Sequence, residues 1–327
     1  MIRLDLNENP YPPPRSVLEE AEKGLREVNR YCEQACLDEL KRSIEEYTGI
    51  PWRSIKLSPG SDTILREIIH SFSIDRKVIM LNPSFLPTLE CAKRHSRKMV
   101  KFHITPPEFI LKREILQEEA REPSLVIIDN PNNPTGREFL DKDLVVDLLD
   151  NKNTLLVIDE AYYEFSGNTF SNLVNEYGNL AVTRTLDKAF SLAGLRVGYL
   201  LAGEKFMEGL SDFNVILPRP SVYAAIAALK NMQYVMENAR RIRSERKRLI
   251  RELNKLGIEA YKSSTNFILV KSEFPGLGDK LRVKGIAVRD LSRDWIPGYY
   301  RISVGLPEEN NILLETLKEI LADESNN

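Results

Sequence analysis

An α/β fold, built on a mostly parallel sheet covered by helices and followed by a smaller α+β domain, is predicted by three features of the sequence. Short apolar runs without polar alternation recur through the middle of the chain, helical patterns lie between them, and from about residue 215 long amphipathic helices replace that rhythm. Such runs, bounded by turn residues, suit strands buried on both faces, and their spacing by helices is the βαβ arrangement of a parallel sheet. In chain order, Thr63 to Phe72 reads as a helix behind the Gly60-Ser61-Asp62 turn, and Lys77–Leu81 as the first buried strand. Leu125–Ile128, Leu155–Ile158 and Leu180–Val182 read as further strands, with a helix over Phe139 to Asp150. Beyond Pro218-Arg219-Pro220 come helices over 220–255, stopped by Gly257, then strands near Asn266–Val270 and Arg301–Val304. The expected organisation is an N-terminal arm (1–20), a large domain (21–217) and a small C-terminal domain (218–327).

Length and charge agree with this division. The 327 residues correspond to roughly two domains at ~150 residues each. Lysine plus arginine total 46 against 48 acidic residues, a net charge of −2, so the long-range field of a nucleic-acid binder is absent. The basic run from Arg240 to Arg251 is interrupted by Glu245 and carries the apolar stripe Ile242, Leu249, Leu253 and Leu256, which reads as a solvated helix face. No apolar stretch is long enough for a membrane span, and Met1-Ile2-Arg3-Leu4-Asp5 lacks a signal-peptide layout, which points to the cytosol. Three cysteines form no closed disulfide framework, and Cys32 and Cys36 have no second pair to complete a zinc site. The three histidines, His70, His95 and His103, lie in no motif and read as surface or packing residues, so no metal is expected.

Ligands in open parallel sheets bind beyond the carboxyl ends of the strands. Three proposed strands run there into recognition residues: Asp129-Asn130-Pro131-Asn132-Asn133-Pro134-Thr135-Gly136, Asp159-Glu160-Ala161-Tyr162-Tyr163, and Thr183-Arg184-Thr185-Leu186-Asp187-Lys188 followed by Arg196-Val197-Gly198. Singly, each has an ordinary explanation as a turn, a helix cap or a solvated charge. Together they describe a site for pyridoxal 5'-phosphate, which needs an amine for a Schiff base, a carboxylate at its ring nitrogen, donors to its phenolate oxygen and a phosphate cradle. Lys188, Asp159, and Tyr162 with Asn133 supply the first three. Arg196, Thr185 and the Gly60-Ser61-Asp62 turn at a helix N-terminus supply the cradle.

These motifs, with the amino-terminal Leu6-Asn7-Glu8-Asn9-Pro10-Tyr11-Pro12 and the segment Arg301-Ile302-Ser303-Val304-Gly305, resemble the fold type I, aspartate-aminotransferase-like enzymes over essentially the whole chain. Within them the sequence is most similar to the histidinol-phosphate aminotransferases. The resemblance implies a mostly parallel seven-stranded sheet in the large domain and ping-pong transfer of an amino group between histidinol phosphate and 2-oxoglutarate, a step of histidine biosynthesis. It further implies that Lys188 moves the proton, that Phe85 stacks on the ring, and that Arg301 takes a substrate carboxylate. Arg289, Tyr11 and Tyr31 would recognise the substrate phosphate, Tyr31 from across the interface of a homodimer. Arginine's planar fork accepts carboxylate or phosphate oxygens, so one basic pocket can serve both half-reactions.

The chain departs from the pattern at Asp187, where serine is usual, at Phe85, where tyrosine is common, and at Tyr31-Cys32-Glu33, in place of Tyr-Pro-Asp. A carboxylate ~5 Å from a phosphate charge costs about 3 kcal/mol at an effective dielectric near 20, so Asp187 is expected to turn away, to Arg184 or backbone donors, or to take a proton. The short start before the Asn-x-Asn motif also resembles threonine-phosphate decarboxylases, though the tyrosine kept in Asp159-Glu160-Ala161-Tyr162-Tyr163, where they tend to have phenylalanine, and the lack of a second arginine in Arg301-Ile302-Ser303-Val304-Gly305 favour the aminotransferases. An aromatic or other amino-acid aminotransferase and a non-catalytic cofactor-binding regulator are the remaining alternatives.

Overall fold

A computed structural model describes residues 1–210, 212–292 and 294–325. Its strands are β1 (Ile2–Leu4), β2 (Ile55–Ser58), β3 (Lys77–Asn82), β4 (Met99–His103), β5 (Ser124–Asp129), β6 (Thr154–Asp159), β7 (Leu180–Thr185), β8 (Gly198–Ala202), β9 (Glu259–Ala260), β10 (Phe267–Lys271), β11 (Ile286–Asp290) and β12 (Tyr299–Ser303). The helices in the first half are α1 (Arg15–Leu25), α2 (Gln34–Thr48), α3 (Ser61–Phe72), α4 (Leu86–His95), α5 (Arg113–Glu119), α6 (Lys142–Asp150) and α7 (Tyr163–Ser166). They are followed by α8 (Glu204–Gly209), α9 (Arg219–Leu229), α10 (Met232–Lys255), α11 (Leu277–Val283) and α12 (Pro307–Ser325).

Seven strands form one sheet in the order β2-β8-β7-β6-β5-β3-β4, parallel except for β8, which runs antiparallel to both of its neighbours. Every residue of β5, β6 and β7 is buried, as their unbroken apolar runs require when helices cover both faces. Val78, Met80, Leu125, Ile127, Leu155 and Val157 pack on one side with Ile64, Leu65, Ile68 and Ile69 of α3. Their alternates Ile79, Leu81, Val126, Ile128, Leu156 and Ile158 join the larger core on the other side. The in-register ladder places Asp129 beside Asp159 and Asp159 beside Thr183, so three polar side chains line up where the apolar runs end.

A second sheet has the order β1-β11-β12-β10-β9, with β1 parallel to β11. The amino-terminal strand is therefore an edge of the carboxyl-terminal sheet, and the residues just after it cross to the large sheet, where Asn9 Nδ2 donates to Ala189 O at 3.0 Å.

Four sequence expectations change. The helix expected from Phe139 begins at Lys142, because Asp141 caps it by accepting from Leu144 N, while Phe139 N and Leu140 N donate to Asn130 Oδ1 at 2.7 and 3.2 Å. The helical stretch 220–255 is two helices, α9 and α10, that break at Lys230-Asn231, where Asn231 turns its side chain back to Ala227 O. The basic run on α10 is not wholly solvated: Arg246 is buried and donates to Thr265 O. Six strands fall outside the expected set: β2, β4 and β8 of the seven-stranded sheet, two of them at its edges, and β1, β9 and β11 of the second sheet.

Candidate active site

A cavity of about 200 Å³ opens at the carboxyl edge of the parallel strands and brings together Ser61, Asp62, Phe85, Asn133, Asp159, Tyr162, Thr185, Lys188, Arg196 and Arg301. Asp159 ends β6 and accepts from Thr183 Oγ1 at 2.8 Å. Burial, against that hydrogen bond, raises its carboxyl to about 7, and the neighbouring Asp129 adds to the rise. Asp129 is itself raised by burial, although Asn133 N, Ser84 Oγ and Asn132 Nδ2 all donate to it. It fixes the Asn133 loop from below.

Lys188 reaches into the same cavity, its ammonium 3.3 Å from Leu6 O. Burial first, and then the nearby Arg301, lower it to about 8. That leaves a usable fraction of free amine near neutral pH, the form that attacks a carbonyl or accepts a proton. Tyr162 is buried and its hydroxyl accepts from Asn7 Nδ2 at 3.0 Å, which leaves the phenol proton for an acceptor in the cavity. Burial pushes that phenol up to about 12, so it stays a donor. Asn133 accepts at Oδ1 from Arg301 Nη1 at 2.7 Å, which orients its amide NH₂ as the second donor.

Asn7 belongs to this constellation, yet sequence reasoning gave it no role. Its φ of 55° is in the left-handed region, and its backbone is held there by Ser303 Oγ and Asn266 Nδ2. An asparagine with positive φ inside the amino-terminal motif is the kind of signal that marks such a site, since asparagine tolerates that region better than most residues.

At the other end of the cavity, α3 starts at Ser61, directly behind Gly60. Gly60 has φ +79°, and a Cβ there would come within 2.2 Å of Arg196 Nη2. A Cβ on Gly198 would strike the Gly60 carbonyl carbon at 2.3 Å and Ser61 N at 2.4 Å, so Gly198 lets the β8 backbone approach the helix N-terminus while Gly60 makes room there for the Arg196 guanidinium. Free backbone N–H groups at that N-terminus and the guanidinium of Arg196 make an anion cradle. Thr185 braces its floor, donating to Val197 O and accepting from Asp187 N.

Asp187 does not turn toward Arg184. It faces the cavity and pairs with Arg196, which also pairs with Asp62. Arg184 is engaged elsewhere: on β7 it points to the sheet face opposite Thr183 and Thr185, where it pairs with the buried Glu160 at 2.9 Å. One oxygen of Asp187, Oδ1, is buried with no hydrogen-bond partner.

Beyond Phe85 the cavity continues into a second one of about 370 Å³ that is also lined by Asn133, Arg289, Trp295 and Arg301. Arg289 on β11 lies directly opposite Arg301 on β12. Like charges in such cross-strand pairs are destabilising. Here Asp294 partly offsets Arg289, whereas Arg301 Nε is buried with no partner, so an anion between the two would satisfy both. Tyr11 lies apart from these cavities, half-buried under the guanidinium of Arg241, and Tyr31 is 81% exposed on the surface, its carbonyl accepting from Arg219.

Apart from the carboxylates of Asp62 and Asp187, which pair with Arg196, the donor set fits pyridoxal phosphate: an amine, a buried carboxyl, two oriented donors, an aromatic ring and an anion cradle face one volume. The raised carboxyl also makes a prediction. With a folded value near 7 and an ordinary value of 3.8, Asp159 binds more protons in the folded protein across that interval, so stability falls as pH rises through it. The cofactor-free protein is therefore expected to melt at a lower temperature at pH 8 than at pH 5, and Asp159→Asn to remove part of that slope. A slope identical in the variant counts against the assignment.

Comparison with known proteins agrees with this geometry. The model of the family "Aminotransferase class I and II" matches residues 1–317. A histidinol-phosphate aminotransferase of Sulfurisphaera tokodaii is 40% identical, over 98% of this chain and 90% of that protein. The crystal structure of histidinol-phosphate aminotransferase from Sinorhizobium meliloti, in complex with pyridoxal-5'-phosphate, superposes with a TM-score of 0.86 at 25% identity, covering 98% of this chain and 91% of the other. An L-threonine-O-3-phosphate decarboxylase from Porphyromonas gingivalis shares the fold, with a TM-score of 0.83 at 20% identity over 98% of this chain and all of that one. With the family match spanning the cavity residues from both sheets, the chain belongs to the class I and II aminotransferases.

Proposed function

We propose that the protein transfers an amino group between L-histidinol phosphate and 2-oxoglutarate, with pyridoxal phosphate as cofactor and a homodimer as the working unit. The observation that carries this reading is the Arg289–Arg301 pair at the mouth of a cavity that already holds a lowered lysine. Two guanidinium groups side by side suit anionic substrates of both kinds, the two carboxylates of glutamate in one half-reaction and, in the other, the doubly charged phosphate that is the one anionic group of histidinol phosphate. The name of the 40% identical relative supports the same substrate.

Pyridoxal phosphate, when bound, withdraws electrons from the carbon that bears the amino group and so makes its proton removable. Asp159 would keep a proton at the ring nitrogen, and Tyr162 and Asn133 would donate to the phenolate oxygen. Arg196 and the N–H groups at Ser61 and Asp62 would hold the phosphate, with Thr185 bracing the loop beneath it through Val197 O and Asp187 N and with Phe85 against the ring. Lys188 Nζ would accept the proton from the substrate carbon and return it on the far side of the transfer, which a base tuned to about 8 can do in both directions. Arg301 would hold the carboxylate of glutamate, and Arg289 the more distant anion.

Tyr31 is exposed and remote from its own chain's cavity, along with the apolar surface of Leu25 and Val28. A partner subunit would cover this surface and receive Tyr31, with Tyr11, at its phosphate subsite. Sedimentation as a monomer at catalytic concentrations would remove that part of the proposal. For the reaction itself, the yellow cofactor band of the loaded protein is followed after mixing with single substrates. It should fade fastest with histidinol phosphate and glutamate. A faster response to phenylalanine, or carbon dioxide released from threonine phosphate, would overturn the substrate assignment. No described helix is long and apolar enough to cross a membrane.

A further inference from the structure

His70, Cys91 and His95 converge on the surface far along α3 and α4 from the cavity, their ligand atoms all within 4.8 Å of one another. We propose that they form a binding site for a zinc-class transition-metal ion that fastens the carboxyl-terminal ends of α3 and α4 together.

Two of the chain's three histidines meet one of its three cysteines here, although His70 and Cys91 stand on different helices. Cys91 and His95 are separated by one helical turn and so share a face of α4. His70 Nε2 already lies 3.9 Å from Cys91 Sγ, and the two imidazole rings meet edge-on with centroids 4.3 Å apart. A tetrahedral zinc with bonds of ~2.0–2.3 Å places its ligands roughly 3.5 Å apart. Closing the triangle therefore takes small rotations of two exposed histidines, whose side chains are free to make them, about a buried sulfur that is fixed.

One thiolate and two neutral imidazoles select a borderline or soft ion over magnesium or calcium. Burial holds the Cys91 thiol above its ordinary range, with Arg66 and Arg94 pulling it down, so the bound ion itself must drive off the thiol proton, and metal binding should weaken as pH falls. The fourth position faces solvent, so water completes the shell. Ser73 Oγ, 3.5 Å from His95 O, already ties the two helix ends together weakly. Their opposite ends carry Ser61 at the anion cradle and Phe85 at the cavity wall, so the ion would brace the scaffold of the site without touching its chemistry.

The test uses reduced, cofactor-loaded protein with Cys32 and Cys36 replaced by serine, dialysed against zinc and, separately, cobalt as a coloured probe. One equivalent of metal should bind, cobalt should show a thiolate charge-transfer band, and zinc should raise the melting temperature. Cys91→Ser should abolish the band, and His70→Gln and His95→Gln should each weaken zinc binding beyond the ~10–100-fold that loss of an outer-shell partner costs. Retention of the yellow cofactor band shows that the variants are folded. Binding without the cobalt band, or zinc affinity equal in the parent and the three variants, would show adventitious metal only and overturn the site.

Discussion

Lys188→Ala is expected to retain bound pyridoxal phosphate while amino-group transfer falls by at least the ~10²–10⁴-fold that loss of a positioned general base costs. The two halves of this expectation rest on different groups. Retention depends on the cradle at Ser61, Asp62, Thr185 and Arg196 and on Asp159, Tyr162 and Asn133, none of which uses the lysine as a partner. Among described contacts the ammonium makes one hydrogen bond, to Leu6 O, so its removal costs little structure. Turnover depends on an amine whose affinity for protons has been lowered by burial and by Arg301. Among the described residues no other amine lines the cavity, and the remaining basic groups there, Arg196 and Arg301, are guanidinium groups that do not give up a proton near neutrality. Gel filtration measures cofactor retention, and rapid mixing with glutamate measures the half-reaction. A rate within tenfold of the parent would mean that another residue moves the proton.

The parts of this arrangement that the sequence makes legible are those dictated by local composition. Strands β5, β6 and β7 are buried on both faces, so their apolar runs stop abruptly, and the polar residues after each stop, Asn133, Asp159 and Lys188, meet at one edge. The edge strands β2 and β4 are short and each mixes a lysine with apolar residues, β4 being half-solvated as well, which leaves a weak signal. Other features are properties of register or of distant pairing. That Arg289 stands opposite Arg301 follows from the β11–β12 register, which no local pattern reports. The Asn7–Tyr162 hydrogen bond joins residues 155 positions apart. Asp187 pairs with Arg196 and not with Arg184, because strand alternation turns Arg184 to the face of β7 that meets Glu160, while Asp187 lies beyond the end of that strand with Arg196 within reach.

The same alternation identifies the substitution with the largest expected effect on stability, Glu160→Ala. Glu160 follows Asp159 at the end of β6 and is buried, with Arg184 Nε and Nη2 on one oxygen at 3.0 and 2.9 Å. Its second oxygen accepts from Phe170 N at 2.7 Å, and Thr169 Oγ1 donates to the first at 2.8 Å. The guanidinium also lies 3.8 Å over the Tyr163 ring and bonds to Thr169 and Ser171. Alanine at 160 would leave Arg184 charged and buried without its partner, and breaking such a pair from one side costs about 3–5 kcal/mol. Glu164 limits the loss: burial raises its carboxyl to about 7, with Arg184 as the strongest opposing influence, so a cation freed from Glu160 would draw it into the ionised form. Compensation is incomplete, because Glu164 is also held by Tyr47 Oη at 3.0 Å and cannot replace the bonds to Phe170 N and Thr169. Glu160→Gln keeps acceptors for Arg184 but not the charge, and should fall between the alanine variant and the parent. Urea denaturation of the cofactor-loaded proteins measures both. A Glu160→Ala midpoint equivalent to less than ~1 kcal/mol of loss, the range of ordinary substitutions, would show that the β6–β7 junction does not depend on this pair.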